Sequence, residues 1–354
     1  MTAASAPDDH RPYAGLTPHA VLDALDAAGL RGDGRILQLN SYENRVFQLH
    51  LEESLDPVDI RPTVVVAKFY RAGRWSEAQI LEEHAFAREL ADAEVPAVAP
   101  LVLTRGADAP PELVLHGAPP TLAALHGWRC AVSPRCGGRA PELEDARTLE
   151  WIGRFLARLH GVGARRPFAH RITLDGTAAA RASVQWLIET DCLPPDALQG
   201  WHGACLRALD AVDTRFARHG RLDLLRLHGD CHAGNLLWTA AGPHFVDLDD
   251  AVNGPAVQGL WMLLGGDRHE MQAQLGALLD GYEMIRDFDR RELALIEPLR
   301  TLRIIQHSAW IARRWDDPAF PIAFPNFESP SYWAQQTTQL HEQIAAMADE
   351  PLVA

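Results

Sequence analysis

The sequence has few of the residues on which several classes of protein depend. Lysine and arginine together number 33, yet only one of them is a lysine, Lys68, and the formal net charge is −14. A chain this acidic is unsuited to bind nucleic acid or an anionic membrane surface. Its five cysteines include no C-x-x-C pair, which argues against a disulfide scaffold and a zinc site. No apolar run approaches the roughly 20 residues of a membrane span, and the first residues lack a secretory pattern, so we expect a cytoplasmic protein.

What remains is ordinary globular composition, with 47% hydrophobic residues, in a chain of 354 residues. Alternating apolar residues in the first third predict short strands, at 35–39, 46–51, 63–69, 101–103, 112–115 and 127–132. Thr17 and Ser76 each precede a helical pattern, and further helices are predicted at 149–162 and 293–315. We therefore expect a disordered segment over 1–14, a β-rich lobe over 15–133 and a helical lobe over 134–354.

One short segment, Leu227 to Asp250, interrupts the helical part of the chain. Apolar runs at 236–238 and 245–248 flank a turn around Gly242-Pro243, which predicts a hairpin. Antiparallel pairing then places Asn235 beside Asp247 at the open end of the hairpin. Asp230 lies five residues before Asn235 in a glycine-containing loop, so an acid, an amide and a second acid converge.

That set of oxygens is what metal-assisted phosphoryl transfer requires. Mg²⁺ takes one or two carboxylates together with substrate phosphates, and Asn235 and Asp247 suit it. Asp230 stands apart, where it would accept or orient the proton of an attacking hydroxyl. The Asp-x₄-Asn spacing equals that of the protein-kinase catalytic loop. The alternative interpretation is a polar turn that Asp and Asn merely cap.

The single lysine lies at the end of the strand-like run VVVAKF, which resembles V-A-I-K. A lysine that grips phosphate is a compact cation on a flexible stem, and the planar fork of arginine does not replace it. Glu83 in the next predicted helix is the natural partner for the amine of Lys68, with Glu82 as the competing choice. The alternative is a surface residue that happens to be lysine.

These motifs together resemble the aminoglycoside phosphotransferase-like branch of the protein-kinase superfamily, and more closely the bacterial stress response kinase A family. The stretches that carry the resemblance are NSYENRVFQL, AKFYRAGRW, LHGDCHAGNLLW, FVDLDDAVNGPAVQ and RRWDDPAFP. The resemblance implies an α+β, bilobal kinase-like fold, with a β-rich N-lobe and a mainly helical C-lobe. It also implies Mg²⁺-dependent transfer from ATP to Ser/Thr in proteins, in a monomeric enzyme of a stress response.

Each role follows from a position that matches the family's motifs. Asp230 resembles the catalytic base, and Asn235 and Asp247 resemble the magnesium ligands, with Asp247 also part of the catalytic set. Lys68 resembles the nucleotide-phosphate lysine, with Glu83 as its partner. Two further residues resemble nucleotide contacts, Ser41 in the N-S-Y-E-N loop and His232 near the γ-phosphate.

The chain departs from the family at Gly259, where the family usually has the Asp of Q-D-L-W, which braces the catalytic loop. With glycine there, the brace is absent or comes from another group. Two other functions stay open on the sequence. One is a phosphotransferase for an amino alcohol or aminoglycoside, because an acidic chain suits a cationic acceptor. The other is a nucleotide-binding regulator without turnover.

The single lysine gives the first testable prediction. We expect Lys68→Arg to lose most of the phosphotransferase activity while the protein stays folded, because the guanidinium cannot take the place of the ammonium on phosphate. Initial rates with labelled ATP, with circular dichroism as the fold control, measure this. Near-normal turnover by Lys68→Arg would refute the role assigned to Lys68.

Overall fold

The computed structural model describes residues 12–55 and 63–354 of the chain. By their contacts these residues form two compact units. The first contains residues up to 85 together with 99–136 and 316–319, and the second contains 86–98, 137–315 and 320–354. The lobe boundaries expected from the sequence, 15–133 and 134–354, stay a prediction. Of the segment 1–14 that we expect to be disordered, residues 1–11 lie outside the described part, while Tyr13 stacks on Trp128.

The first unit is built on a six-stranded antiparallel sheet of spatial order β1-β2-β3-β6-β5-β4. Its strands are β1 (Gly32–Leu39), β2 (Arg45–Leu51), β3 (Val64–Phe69), β4 (Val114–Gly117), β5 (Pro120–Leu125) and β6 (Trp128–Pro134). Alternate apolar side chains of the central strands are buried, among them Phe47, Val65 and Val132. This period-2 burial is what the alternating sequence predicts.

Two helices accompany the sheet, and the sequence predicts how both begin. Helix α1 (Pro18–Ala27) starts at Thr17, whose hydroxyl accepts from the Ala20 amide at 3.2 Å. Helix α2 (Glu77–Asp92) starts after Ser76, where the Gln79 amide donates to the Ser76 hydroxyl and the Gln79 side chain accepts from the Ser76 amide. These caps satisfy amide groups that a helix leaves unpaired.

The second unit is mainly helical. Its helices are α3 (Ala146–Gly163), α4 (Ala178–Glu189), α5 (Pro195–His219), α6 (Arg268–Glu283), α7 (Ile296–Ala312), α8 (Ala319–Ala323, whose first residue belongs to the first unit) and α9 (Pro330–Ala348). Two short antiparallel pairs complete it: β7 (Leu225–Leu227) with β10 (Val252–Gly254), and β8 (Leu236–Thr239) with β9 (Gly242–Phe245).

Several sequence predictions need correction. The predicted strand at 101–103 is wrong: the Leu101 amide donates to Val132 and the Leu103 amide to Pro120, so the segment bonds to two different strands and forms no ladder. Strand β5 was not predicted because its alanines lack the β-branched signal. The predicted helix at 293–315 is shorter, because residues up to Leu295 form a 3₁₀ turn and α7 ends at Ala312.

The hairpin at 236–248 exists, but its turn is misplaced in the prediction. The turn lies at 240–241, and Gly242 and Pro243 belong to β9, opposite Thr239 and Trp238. The Thr239 hydroxyl donates to the Gly242 carbonyl at 2.9 Å and accepts from the Ala241 amide at 3.1 Å. These bonds fix the earlier turn, since a side-chain hydroxyl there substitutes for backbone partners. Strand β9 therefore ends at Phe245, before Asp247.

Candidate active site

The loop that carries Asp230 depends on the glycine before it. Gly229 has φ +83°, and a Cβ there would lie 1.8 Å from the carbonyl oxygen of Asp250. No other residue fits both the backbone angle and that contact. The loop follows β7 and leads into a 3₁₀ turn, Ala233–Asn235, which precedes β8.

The carboxylate of Asp230 is surrounded by donors and is 19% exposed. Arg303 Nη1 of α7 lies 2.6 Å from Oδ1, and His232 Nε2 lies 3.4 Å from Oδ2. Burial alone would raise the pKa of Asp230, but the hydrogen bond from His232 and the charge of Arg303 outweigh it and hold the pKa well below its usual range. Asp230 is therefore an ionised acceptor at neutral pH.

Asn235 is tied to Asp230 through its amide group. Its Nδ2 donates to the Asp230 carbonyl oxygen at 2.9 Å and lies 3.5 Å from Oδ2. The backbone carbonyl of Asn235 accepts from the Val246 amide at 3.1 Å. Asn235 is therefore paired with the residue that precedes Asp247. These bonds place Asn235 beside the segment that carries Asp247, at the open end of the hairpin, as the sequence predicts. His228, fully buried behind them, has its Nε2 2.8 Å from the Val246 carbonyl.

Asp247 has an unusual backbone conformation, with φ 58° and ψ 63°. The left-handed region is uncommon for any residue but glycine, and Asp and Asn tolerate it best. The next residues, Leu248–Asp250, form a 3₁₀ turn, so the chain leaves the hairpin immediately after this carboxylate. Conformations of this kind concentrate at functional sites because surrounding structure must maintain them.

The oxygens of Asn235 and Asp247 fit a divalent cation of the hard, oxygen-binding kind. The Asn235 amide nitrogen is committed to Asp230, so its Oδ1 is the atom left to act as a ligand. In residues 12–55 and 63–354 no group of three or more His, Cys, Asp or Glu is placed to hold a metal ion. Two protein ligands are what Mg²⁺ needs when substrate phosphates complete its shell.

His232 is oriented by the loop itself. Its Nδ1 accepts from the Gly234 amide at 2.9 Å, which leaves the proton on Nε2, the atom that faces Asp230. The neighbouring Cys231 is fully buried, and burial raises the pKa of its thiol. Low accessibility and a raised pKa both oppose thiolate chemistry at Cys231.

With glycine at position 259, one side chain that still holds the Asp230 loop is that of Gln258, the residue before it. Gln258, one residue before Gly259, donates from Nε2 to the Gly229 carbonyl at 2.9 Å, and its Oε1 accepts from Trp261 Nε1 at 2.9 Å. A Cβ at Gly259 would lie 2.9 Å from Nε2 of His160. The imidazole of buried His160, held by Tyr282 at 2.9 Å, therefore occupies the space that a longer residue at 259 would need.

The nucleotide residues expected from the sequence lie in the first unit. Lys68 lies in β3 opposite Val46 and Ala131, with its Nζ 5.9 Å from the ring centroid of Tyr70. Glu83 lies on the buried face of α2, whereas Glu82 is only half-buried. This burial favours Glu83 over Glu82 as a partner for a charge inside the unit, and the pairing with Lys68 stays a prediction.

Ser41 lies in the loop between β1 and β2. An arginine of the same unit donates to the backbone carbonyls of this loop. Arg71 donates from Nη2 to the Tyr42 carbonyl at 3.2 Å and from Nε to the Glu43 carbonyl at 3.0 Å. Arg71 is itself anchored at 2.6 Å by Asp317, whose side chain is fully buried. The N-S-Y-E-N loop is therefore positioned by an ion pair, where other nucleotide loops use glycines.

Arg303 is the residue of this site that sequence reasoning missed. It lies 73 positions after Asp230, in a helix whose pattern predicts only an amphipathic surface. Nothing in the spacing of charged residues indicates which face of α7 meets the Asp230 loop. To predict the role of Arg303 one must know that α7 packs against the Asp230 loop, and a single sequence does not show which distant segments are in contact.

Within the described part of the chain, every helix is too short or too polar to cross a membrane.

Comparison with known proteins gives a consistent set of matches. Residues 35–296 match the family model described as the phosphotransferase enzyme family. The chain is 44% identical to "Stress response kinase A" of Salmonella choleraesuis over 95% of both chains. It is 43% identical, over the same share of each, to "Serine/threonine protein kinase RdoA" of Salmonella typhimurium.

A solved structure with a similar fold is that of the amicoumacin kinase hAmiN, in complex with AMP-PNP, Ca²⁺ and Ami. The TM-score is 0.69 at 14% sequence identity, with 95% of this chain and 94% of the other covered. At that identity the match establishes the fold alone. Together with the family match it confirms the predicted α+β fold, a β-sheet unit and a helical unit of the aminoglycoside phosphotransferase type.

The contact of Gln258 with the Asp230 loop gives a second prediction. We expect Gln258→Met to lower kcat by about tenfold with KM for ATP unchanged, because a lost buried hydrogen bond costs about 1–3 kcal/mol and releases the loop. The control is Gln335→Met, the same change at an exposed position of α9. A variant Gln258→Met with the kcat of the unchanged protein would show that the loop needs no brace.

Proposed function

Because the chain belongs to the phosphotransferase enzyme family, we propose that this kinase transfers the γ-phosphoryl group of ATP to Ser/Thr hydroxyls in proteins. Membership confirms the resemblance stated from the motifs. The observation that carries the proposal is the grouping of Asp230, Asn235 and Asp247 at one end of the β8–β9 hairpin. The relative named as a serine/threonine protein kinase supports a protein acceptor.

In the proposed reaction Asp230 receives or orients the proton of the attacking hydroxyl. Arg303 and His232 keep its carboxylate ionised, so it is ready as an acceptor at neutral pH. The Asn235 amide fixes the Asp230 backbone, which limits the directions in which the carboxylate can swing. Positioning of this kind is the main contribution that a protein makes to phosphoryl transfer.

Asn235 and Asp247 would hold Mg²⁺. When bound, the ion would supply positive charge that offsets the negative charge of the phosphates. Lys68, paired with Glu83, and Ser41 would contact the phosphates of ATP. His232 would turn its Nε2 proton from Asp230 to the γ-phosphate. A chain of net charge −14 needs these cations because ATP is itself polyanionic.

The proposed setting is a cytoplasmic stress response. The name of the relatives that match 95% of the chain, stress response kinase A, supports this setting.

A second candidate is phosphorylation of a small alcohol. The fold shared with the amicoumacin kinase favours it, because one fold serves both kinds of acceptor. The third function left open by the sequence, nucleotide binding without turnover, rested on Gly259 alone. The Gln258 bond to the loop reduces the weight of that argument.

One assay separates the three functions. Purified protein is incubated with labelled ATP and Mg²⁺ alone, with a generic protein substrate, and with a panel of small alcohols. We expect label on Ser/Thr that falls by at least about a thousandfold in Asp230→Ala, the scale of losing a catalytic base together with its positioning.

The matched control is Asp223→Ala, an exposed acid in the same unit. If phosphate is transferred only to a small alcohol, the second candidate function replaces phosphorylation of proteins. Nucleotide binding without turnover in every tube would leave only the regulator.

A further inference from the structure

The second unit contains a cleft of about 380 Å³ directly beside the Asp230 loop. Its wall includes His232, whose ring contacts Asp230, and Trp261, whose indole bonds to the loop-bracing Gln258. Met262 and Met271 supply apolar surface. A cleft in this position adjoins the carboxylate that would receive the acceptor's proton. It is therefore a candidate binding site for the acceptor.

The charged side chains that line the cleft are cationic. Two arginines of α7, Arg300 and Arg303, line it, and among the described residues no Asp or Glu does. Each arginine has an acidic partner that is not part of the lining, Asp230 for Arg303 and Glu297 for Arg300. Clefts lined by one sign of charge attract ligands of the other.

Each arginine keeps donors for a ligand. Arg303 lies 2.6 Å from Asp230 through Nη1, and its side chain is 46% exposed. Arg300 is held by Glu297, whose two carboxylate oxygens accept from a single nitrogen, Nη1, at 3.1 and 3.2 Å. Its guanidinium carbon lies 5.5 Å from the Trp261 ring centroid. Arg300 is thus oriented by Glu297 and Trp261, and its Nη2 makes a long contact of 3.9 Å with Met271 Sδ, a weak acceptor that an anion would displace.

We infer that the cleft formed by Arg300, Arg303 and His232 selects acceptors with an anionic group close to the hydroxyl that is phosphorylated. This inference rests on the proposed function and names its substrate class. Arginine forks are suited to carboxylate and phosphate, so an acidic peptide and a small hydroxylated anion share the required chemistry. A cationic amino alcohol or aminoglycoside is disfavoured by the same charges.

The spacing of the arginines also sets a distance. Arg300 and Arg303 are three residues apart on one face of α7, roughly 5 Å along the helix axis. Arg303 touches Asp230, where the hydroxyl would lie, so Arg300 is one helical turn away. An extended peptide advances roughly 3.3 Å per residue. The acidic residue is therefore one or two positions from the Ser or Thr.

The experiment compares two matched pairs of acceptors. One pair is a short peptide with Ser between Glu residues and the same peptide with Lys in place of Glu. The other pair is glycerol 3-phosphate and ethanolamine. We expect the anionic member to have about a tenfold higher kcat/KM, the scale of a charge-assisted hydrogen bond. The pair that is phosphorylated tells whether the anion belongs to a peptide or a small alcohol. Equal rates, or a preference for the cationic member, would overturn the inference.

Variants of Arg300 test the residue directly, because Arg300 does not contact Asp230. In Arg300→Gln we expect the ratio of kcat/KM for the anionic acceptor to that for the cationic acceptor to fall close to one, with KM for ATP unchanged. Arg300→Lys is expected to keep part of the preference. Arg207→Gln, an exposed arginine of α5, removes the same charge outside the cleft and serves as the control. An anion preference that survives in Arg300→Gln would contradict the assignment.

Binding separates this inference from the proposed function. The Glu peptide with its Ser changed to Ala cannot be phosphorylated, and calorimetry measures its affinity with and without Arg300. Binding that depends on Arg300, with no turnover of any acceptor, would reject the proposed function and keep the inference. Turnover without an anion preference would keep the proposed function and reject the inference. If the protein showed no turnover and no binding, both would be rejected.

Discussion

The hydrogen bond from the Val246 amide to the Asn235 carbonyl is the contact on which the rest of the site depends. It closes the open end of the β8–β9 hairpin, so that Asn235 and Asp247 leave the two strands side by side. The Asn235 amide then reaches back to the Asp230 carbonyl and fixes the preceding loop. Local backbone bonds thus place Asp230, Asn235 and the residue before Asp247 next to one another.

Two backbone conformations make that geometry possible. Gly229 adopts a positive φ where the Asp250 carbonyl leaves no room for a side chain, and Asp247 adopts one in spite of its side chain. Glycine adopts a positive φ without strain, whereas the same conformation at Asp247 costs free energy that the surrounding structure must offset. Gln258 contributes from outside the hairpin, because its side chain donates to the Gly229 carbonyl.

The sequence predicts that these three residues lie near one another because they are close together along the chain. Asp230, Asn235 and Asp247 fall within 18 residues, so hairpin pairing alone predicts their convergence. The turn was misplaced by two residues because the hydroxyl of Thr239, which fixes it, has no clear signature. Arg303 and Arg71 were missed for another reason: each acts on a loop distant in sequence, and helix or strand periodicity does not say which loop a charged face meets.

We propose that Asn235 and Asp247 hold the metal ion that accompanies the nucleotide. Electron paramagnetic resonance of Mn²⁺ titrated into the protein with a nonhydrolysable ATP analogue tests it directly. Asp247→Asn keeps a residue that tolerates the left-handed backbone and removes one anionic ligand. Asp223→Asn makes the same change at an exposed site. We expect the affinity for Mn²⁺ to be at least about tenfold weaker in Asp247→Asn than in Asp223→Asn. Equal affinity in the two variants would contradict it.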